Sequence, residues 1–110
     1  MQAANKKITQ EIITRLVQSV QPQEIYIFGS QAKSNPKHPG KHSDVDLMLV
    51  FDDKAGSHDE LYHLSQQALW GIGIPIDLVI AHHSQKNKWS KVKFSLYYEA
   101  TNKGDLIYAA

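Results

Sequence analysis

Three acidic residues and one glycine–serine pair are the parts of this 110-residue chain best suited to chemistry. Asp44 and Asp46 stand two apart at the head of the apolar run Val45-Asp46-Leu47-Met48-Leu49-Val50-Phe51. Side chains alternate faces along a strand, so this spacing puts both carboxylates on one face. Carboxylates held side by side repel each other, and such a pair persists most naturally with a divalent cation between them. Asp77 interrupts a second apolar run, Ile74-Pro75-Ile76-Asp77-Leu78-Val79-Ile80. A charge inside a run this apolar is costly unless compensated, which points to Asp77 joining the other two. The alternative is an exposed position on an edge strand. Gly29-Ser30 follows a third apolar run, Ile25-Tyr26-Ile27-Phe28. Glycine lets backbone approach a ligand closely, and a serine hydroxyl at a helix start adds a donor for an anion. The plainer alternative is a strand-to-helix turn with Ser30 as its cap.

The elements that must position these residues follow from spacing. Ile8, Ile12, Ile13, Leu16, Val17 and Val20 recur at helical intervals, predicting a helix from about Lys7 to Val20 that ends before Pro22. A strand from Glu24 to Phe28 leads to a short helical turn, Ser30 to Lys33. The loop Ser34 to Ser43 carries Lys37, His38, Lys41 and His42, with Asn35-Pro36 and Pro39-Gly40 as turn formers. The second strand runs from Asp44 to Phe51, and Asp52 and Asp53 fall at its far end. Ser57 and Glu60 form the pattern of a capping box, opening a helix through Leu61, Leu64, Ser65, Ala68 and Leu69. Trp70 is expected in the core or an interface, and Gly71 and Gly73 stop the helix. A third strand spans Ile74 to Ile80. His82 and His83 are expected in a loop facing water, and Ser84 to Lys88 as a loose basic connector. Trp89, Val92, Lys93, Leu96, Tyr97 and Ala100 fit a last helix, ended by Gly104, with Leu106-Ile107-Tyr108 as a short strand.

Composition narrows the class. The length suits one domain, 1–110, and 42% apolar content can build a core. With no cysteine, a disulfide framework and a thiolate zinc site are both excluded, which fits a reducing cytoplasm. No apolar run approaches the roughly 20 residues that span a bilayer, and the N-terminal residues lack a signal-peptide stretch. A net charge of +1 argues against bulk nucleic-acid binding.

The ordered set Gly29-Ser30, Asp44, Asp46 and Asp77, each on the expected kind of element, resembles the DNA polymerase beta-type nucleotidyltransferase superfamily. At this length it is most similar to the minimal nucleotidyltransferases found in toxin–antitoxin pairs with HEPN-type toxins. The resemblance covers nearly the whole chain. It implies an α/β (α+β) fold with a small mixed sheet packed against helices. It also implies two magnesium ions held by Asp44, Asp46 and Asp77, with ATP as substrate. Gly29, Ser30 and Lys33 would then hold the nucleotide phosphates. It further implies transfer of AMP to a tyrosine hydroxyl of the partner toxin, in a hetero- or homo-oligomer. The family pattern has arginines where Gln31 and Lys33 stand, and often glycine at Ser34. Lysine keeps a charge but loses the planar fork, and Gln31 loses the charge. Two alternatives stay open: an antitoxin that neutralises its partner by contact alone, and a nucleotidyltransferase acting on a small molecule.

Overall fold

The computed structural model describes residues 3–29 and 45–110, with side chains from residue 6 onward. The expected helical turn Ser30 to Lys33, the basic loop after it, and Asp44 lie outside the described residues. Among the described residues the order is α1 (Ala3–Ser19), β1 (Glu24–Phe28), β2 (Val45–Phe51), α2 (His58–Ala68), β3 (Ile76–His82), α3 (His83–Trp89), α4 (Leu96–Tyr98) and β4 (Asp105–Ala109). α4 runs on into a π-helical stretch, Glu99–Lys103.

The strands form one mixed sheet in the order β3-β2-β1-β4. β1 is antiparallel to β2 and β4, whereas β2 and β3 are parallel. A parallel pair needs a long crossover, and α2 supplies it. The central strand β2 is covered on both faces, which explains its nearly unbroken apolar run. On one face Ile25, Ile27, Leu47, Leu49, Phe51 and Ile80 pack with Ile12 and Leu16 of α1, Leu61 of α2 and Leu69, which follows α2. On the other, Tyr26, Phe28, Met48, Val50 and Ala81 pack against Ala100, with Val79 and Tyr97 at the margin. No helix among the described residues is long and apolar enough to cross a membrane.

The α2 start is the capping box that its spacing implies. The Glu60 amide donates to Ser57 Oγ at 3.1 Å, and the Ser57 amide to Glu60 Oε1 at 3.3 Å. Further along, Ser65 is fully buried and its hydroxyl has no hydrogen-bond partner among the described residues. An unmade hydrogen bond there is a standing cost. Ser65→Ala is therefore expected to stabilise the fold by about 1 kcal/mol, read as a higher denaturation midpoint at unchanged slope.

Several expectations are corrected. β3 starts at Ile76, not Ile74, because Gly73 takes a left-handed backbone (φ +92) and Pro75 has no amide to donate. Ser84 to Lys88 are helical rather than a loose connector, and the single last helix is two, separated by a turn over 90–95. His82 ends β3 and is not in a loop. Its Nε2 donates to the Gly56 carbonyl at 2.6 Å, and its ring meets the His58 ring edge-on, centroids 4.7 Å apart. Trp70 is 86% exposed and Leu64 is also exposed, so neither belongs to the core.

Candidate active site

Asp46 and Asp77 each occupy the second position of a strand, and the parallel register sets them directly opposite one another. In-register neighbours on adjacent strands point to the same face, about 4.8 Å apart along the ladder. The shared face follows from alternation: Asp46 lies with Met48 and Val50, and Asp77 with Val79 and Ala81. β1 completes the row, with Phe28 paired to Asp46 on the other side.

Gly29 follows Phe28 and closes over this row. Its φ is +72, a left-handed backbone that side chains rarely adopt. A Cβ built there would land on Asp46 Oδ2 and lie 3.3 Å from Asp46 Cγ. Glycine at 29 is thus demanded twice, by backbone angle and by the carboxylate beside it. Gly104 packs the other flank. A Cβ there would come within 2.6 Å of the Ile27 carbonyl oxygen and 2.8 Å of Phe28 Cβ, so the chain after the π-helical stretch is pressed onto the end of β1.

The structure brings together Gly29, Asp46 and Asp77. Asp44, Ser30 and Lys33 lie outside the described residues. One part of the expectation for Asp77 is corrected. β3 is an edge strand in the sheet and Asp77 is exposed, so no burial cost has to be compensated there. What singles it out is its register with Asp46. Asp53 stands at the opposite end of β2, where its carboxylate accepts the Ser84 amide at 3.0 Å. That hydrogen bond lowers its pKa below the ordinary carboxylate value.

Among the described residues no group of three or more His, Asp or Glu is placed to hold a metal ion. Asp46 and Asp77 are two hard oxygen donors on one face, a donor type that suits magnesium, and a third expected donor, Asp44, lies outside the description. The donor chemistry fits a divalent ion completed by phosphate oxygens.

One cluster escaped the sequence reading. On the same face as the carboxylates, but at the far end of β1, Lys86 of α3 pairs with Glu24 at 3.0 Å. The Tyr26 hydroxyl donates to the same Glu24 oxygen at 3.3 Å. By sequence alone Lys86 groups with the solvated basic residues of its segment. The period-two placement of Glu24 and Tyr26 was the available signal, but their partner comes from 62 positions away. Burial first, and Glu24 second, pushes the Tyr26 phenol above its usual value of 10.0. Burial alone would lower Lys86, but the Glu24 hydrogen bond and the neighbouring Tyr26 outweigh it, and the ammonium sits above 10.5. Both groups hold protons more tightly folded than unfolded, so their stabilisation is complete below about pH 10 and is lost as pH climbs through the raised values. Melts across about pH 8 to 11 should show that decline, and Lys86→Met should remove the lysine's part of it while leaving that of Tyr26.

Residues 10–110 match the model of the family described as polymerase beta, nucleotidyltransferase. The chain belongs to that family and carries its nucleotidyltransferase fold. A crystal structure of the toxin–antitoxin MntA–HpeT, in mutant form, is similar at 16% identity, covering 93% of this chain and 73% of that one with a TM-score of 0.49. No curated protein sequence matches the chain.

Proposed function

We propose that this chain is the antitoxin of a two-protein toxin–antitoxin pair and transfers AMP from ATP to a tyrosine hydroxyl of a HEPN-type toxin in the cytoplasm. The observation that carries the catalytic part is the in-register placement of Asp46 and Asp77 beside Gly29. Nucleotidyl transfer requires positioning and charge more than covalent help from the protein, so a small domain spanning 1–110 can suffice. In the reaction the tyrosine oxygen bonds to the α-phosphorus of ATP, the bond to the bridging oxygen breaks, and pyrophosphate departs. The hydroxyl proton passes to the Asp77 carboxylate. The Gly29 backbone, with Ser30 and Lys33, holds the terminal phosphates. Two magnesium ions held by Asp44, Asp46 and Asp77 would acidify the attacking hydroxyl and offset charge on the leaving pyrophosphate.

The contact-only alternative is favoured by one feature, the absence of arginine at Gln31 and Lys33. One experiment separates the two readings. The protein is incubated with magnesium, ATP and the product of the neighbouring gene, and the products are weighed by mass spectrometry. An added AMP on the partner that disappears with Asp77→Asn supports transfer. Neutralisation of the partner that survives Asp77→Asn, with no added mass, supports contact alone and overturns the catalytic reading.

A further inference from the structure

The turn between α3 and α4 is ordered far more heavily than its burial explains. Ser95 Oγ hydrogen-bonds the carbonyls of Trp89 and Val92 at 2.9 and 2.8 Å and accepts the Tyr98 amide at 3.0 Å. The Val92 amide donates to Trp89 O, and Asn102 Nδ2 reaches across to Ser90 O at 3.0 Å. Within this frame Phe94 is held at φ 71, a backbone region unfavourable to a bulky side chain. Strain of this kind is ordinarily balanced by burial, yet Phe94 is 94% exposed, and Trp89, Val92 and Leu96 beside it are exposed as well. Four large apolar side chains are exposed within eight residues, and exposure of this kind marks an interaction surface.

The charges around it specify its partner. Lys88, Lys91 and Lys93 interleave with the apolar residues, and no ion pair among the described residues uses any of them. Lys86, by contrast, is taken up inside the fold by Glu24. A second copy of the chain would bring lysines against lysines. Val92 and Leu96 add aliphatic contact, which suits a protein pocket better than a stacked base. Tyr97 and Ala100, which follow the turn, pack on the sheet face from which Asp46 and Asp77 project.

We propose that Trp89, Val92, Phe94 and Leu96 form the docking surface for the partner protein, whose matching surface has an apolar centre and a carboxylate rim. This deepens the function proposed above and rests on it for the identity of the partner. The test uses the full chain and the purified neighbouring gene product, with affinity and AMP transfer measured separately. Phe94→Gly suits the left-handed backbone, so this variant is expected to melt at or above the wild-type temperature while binding the partner at least about tenfold more weakly. Lys91→Glu combined with Lys93→Glu should weaken binding and reverse its salt dependence. Binding by Phe94→Gly within about twofold of wild type would overturn the docking surface and leave AMP transfer standing. Phe94-dependent binding without any AMP transfer would keep the docking surface and overturn the catalytic reading. Failure of the wild-type chain to bind this product overturns both. Phe94-dependent capture of a single-stranded RNA oligonucleotide, with no effect of Phe94→Gly on partner binding, would reassign the patch to nucleic acid.

Discussion

Asp77→Asn is expected to reduce AMP transfer about 10³-fold and, in the absence of metal, to raise the melting temperature by about 2–4 °C. Both effects come from one geometric fact, the direct opposition of Asp77 and Asp46 across β3 and β2. Like charges directly opposite each other on neighbouring strands are destabilising, and asparagine removes one of them at nearly constant volume. The same neutral side chain cannot offer a charged oxygen to a cation or accept the proton of the attacking hydroxyl. Added magnesium should raise the melting temperature of the wild type and leave that of the variant nearly unchanged, since a ligand that binds only the folded state stabilises it by mass action. The pairing of outcomes is what makes the test sharp. A residue needed only for folding would lose activity and stability together, whereas a charged ligand of a cation should lose activity and gain metal-free stability. Wild-type transfer by this variant, or a lower metal-free melting point, would remove Asp77 from the site.

How far the sequence revealed this arrangement depended on which interactions were local. The faces of β2 and the start of α2 were legible because alternation and the Ser57–Glu60 capping box are set within a few residues. α3 was not, because His83–Trp89 has no buried residue and no apolar stripe to betray a helix. Its place is set by distant partners: Asp53 for the Ser84 amide, Glu24 for Lys86, and His58 for Gln85. The site divides in the same way. That Asp46 points to one face could be read from spacing. That Asp77 meets it there, and stands on an edge strand rather than within the core, depends on strand order and register, which no short window encodes. Phe94 is a further case. The exposure of Val92 and Leu96 beside it runs against the apolar periodicity that suggests a continuous last helix, and the turn-forming hydrogen bonds of Ser95 mark where the helix breaks.

Gly29→Ala should cost about 3 kcal/mol of stability and eliminate AMP transfer. Part of the loss, about 1–2 kcal/mol, is the intrinsic penalty of a left-handed backbone for any residue with a Cβ. The remainder is steric, because the new methyl group would occupy the space of the Asp46 carboxylate and push it out of line with Asp77. These two contributions can be separated by a double-mutant cycle with Asp46→Ala, measured by chemical denaturation. With the carboxylate removed, Gly29→Ala should lose only its backbone penalty, leaving a coupling of about 1–2 kcal/mol between the two positions. Strict additivity would show that the alanine is accommodated without touching Asp46, and that the close approach of Gly29 has no part in holding that carboxylate. A coupling of the expected size would show that Gly29 serves the site in two ways, by leaving room for Asp46 to face Asp77 and by keeping the end of β1 open to a phosphate.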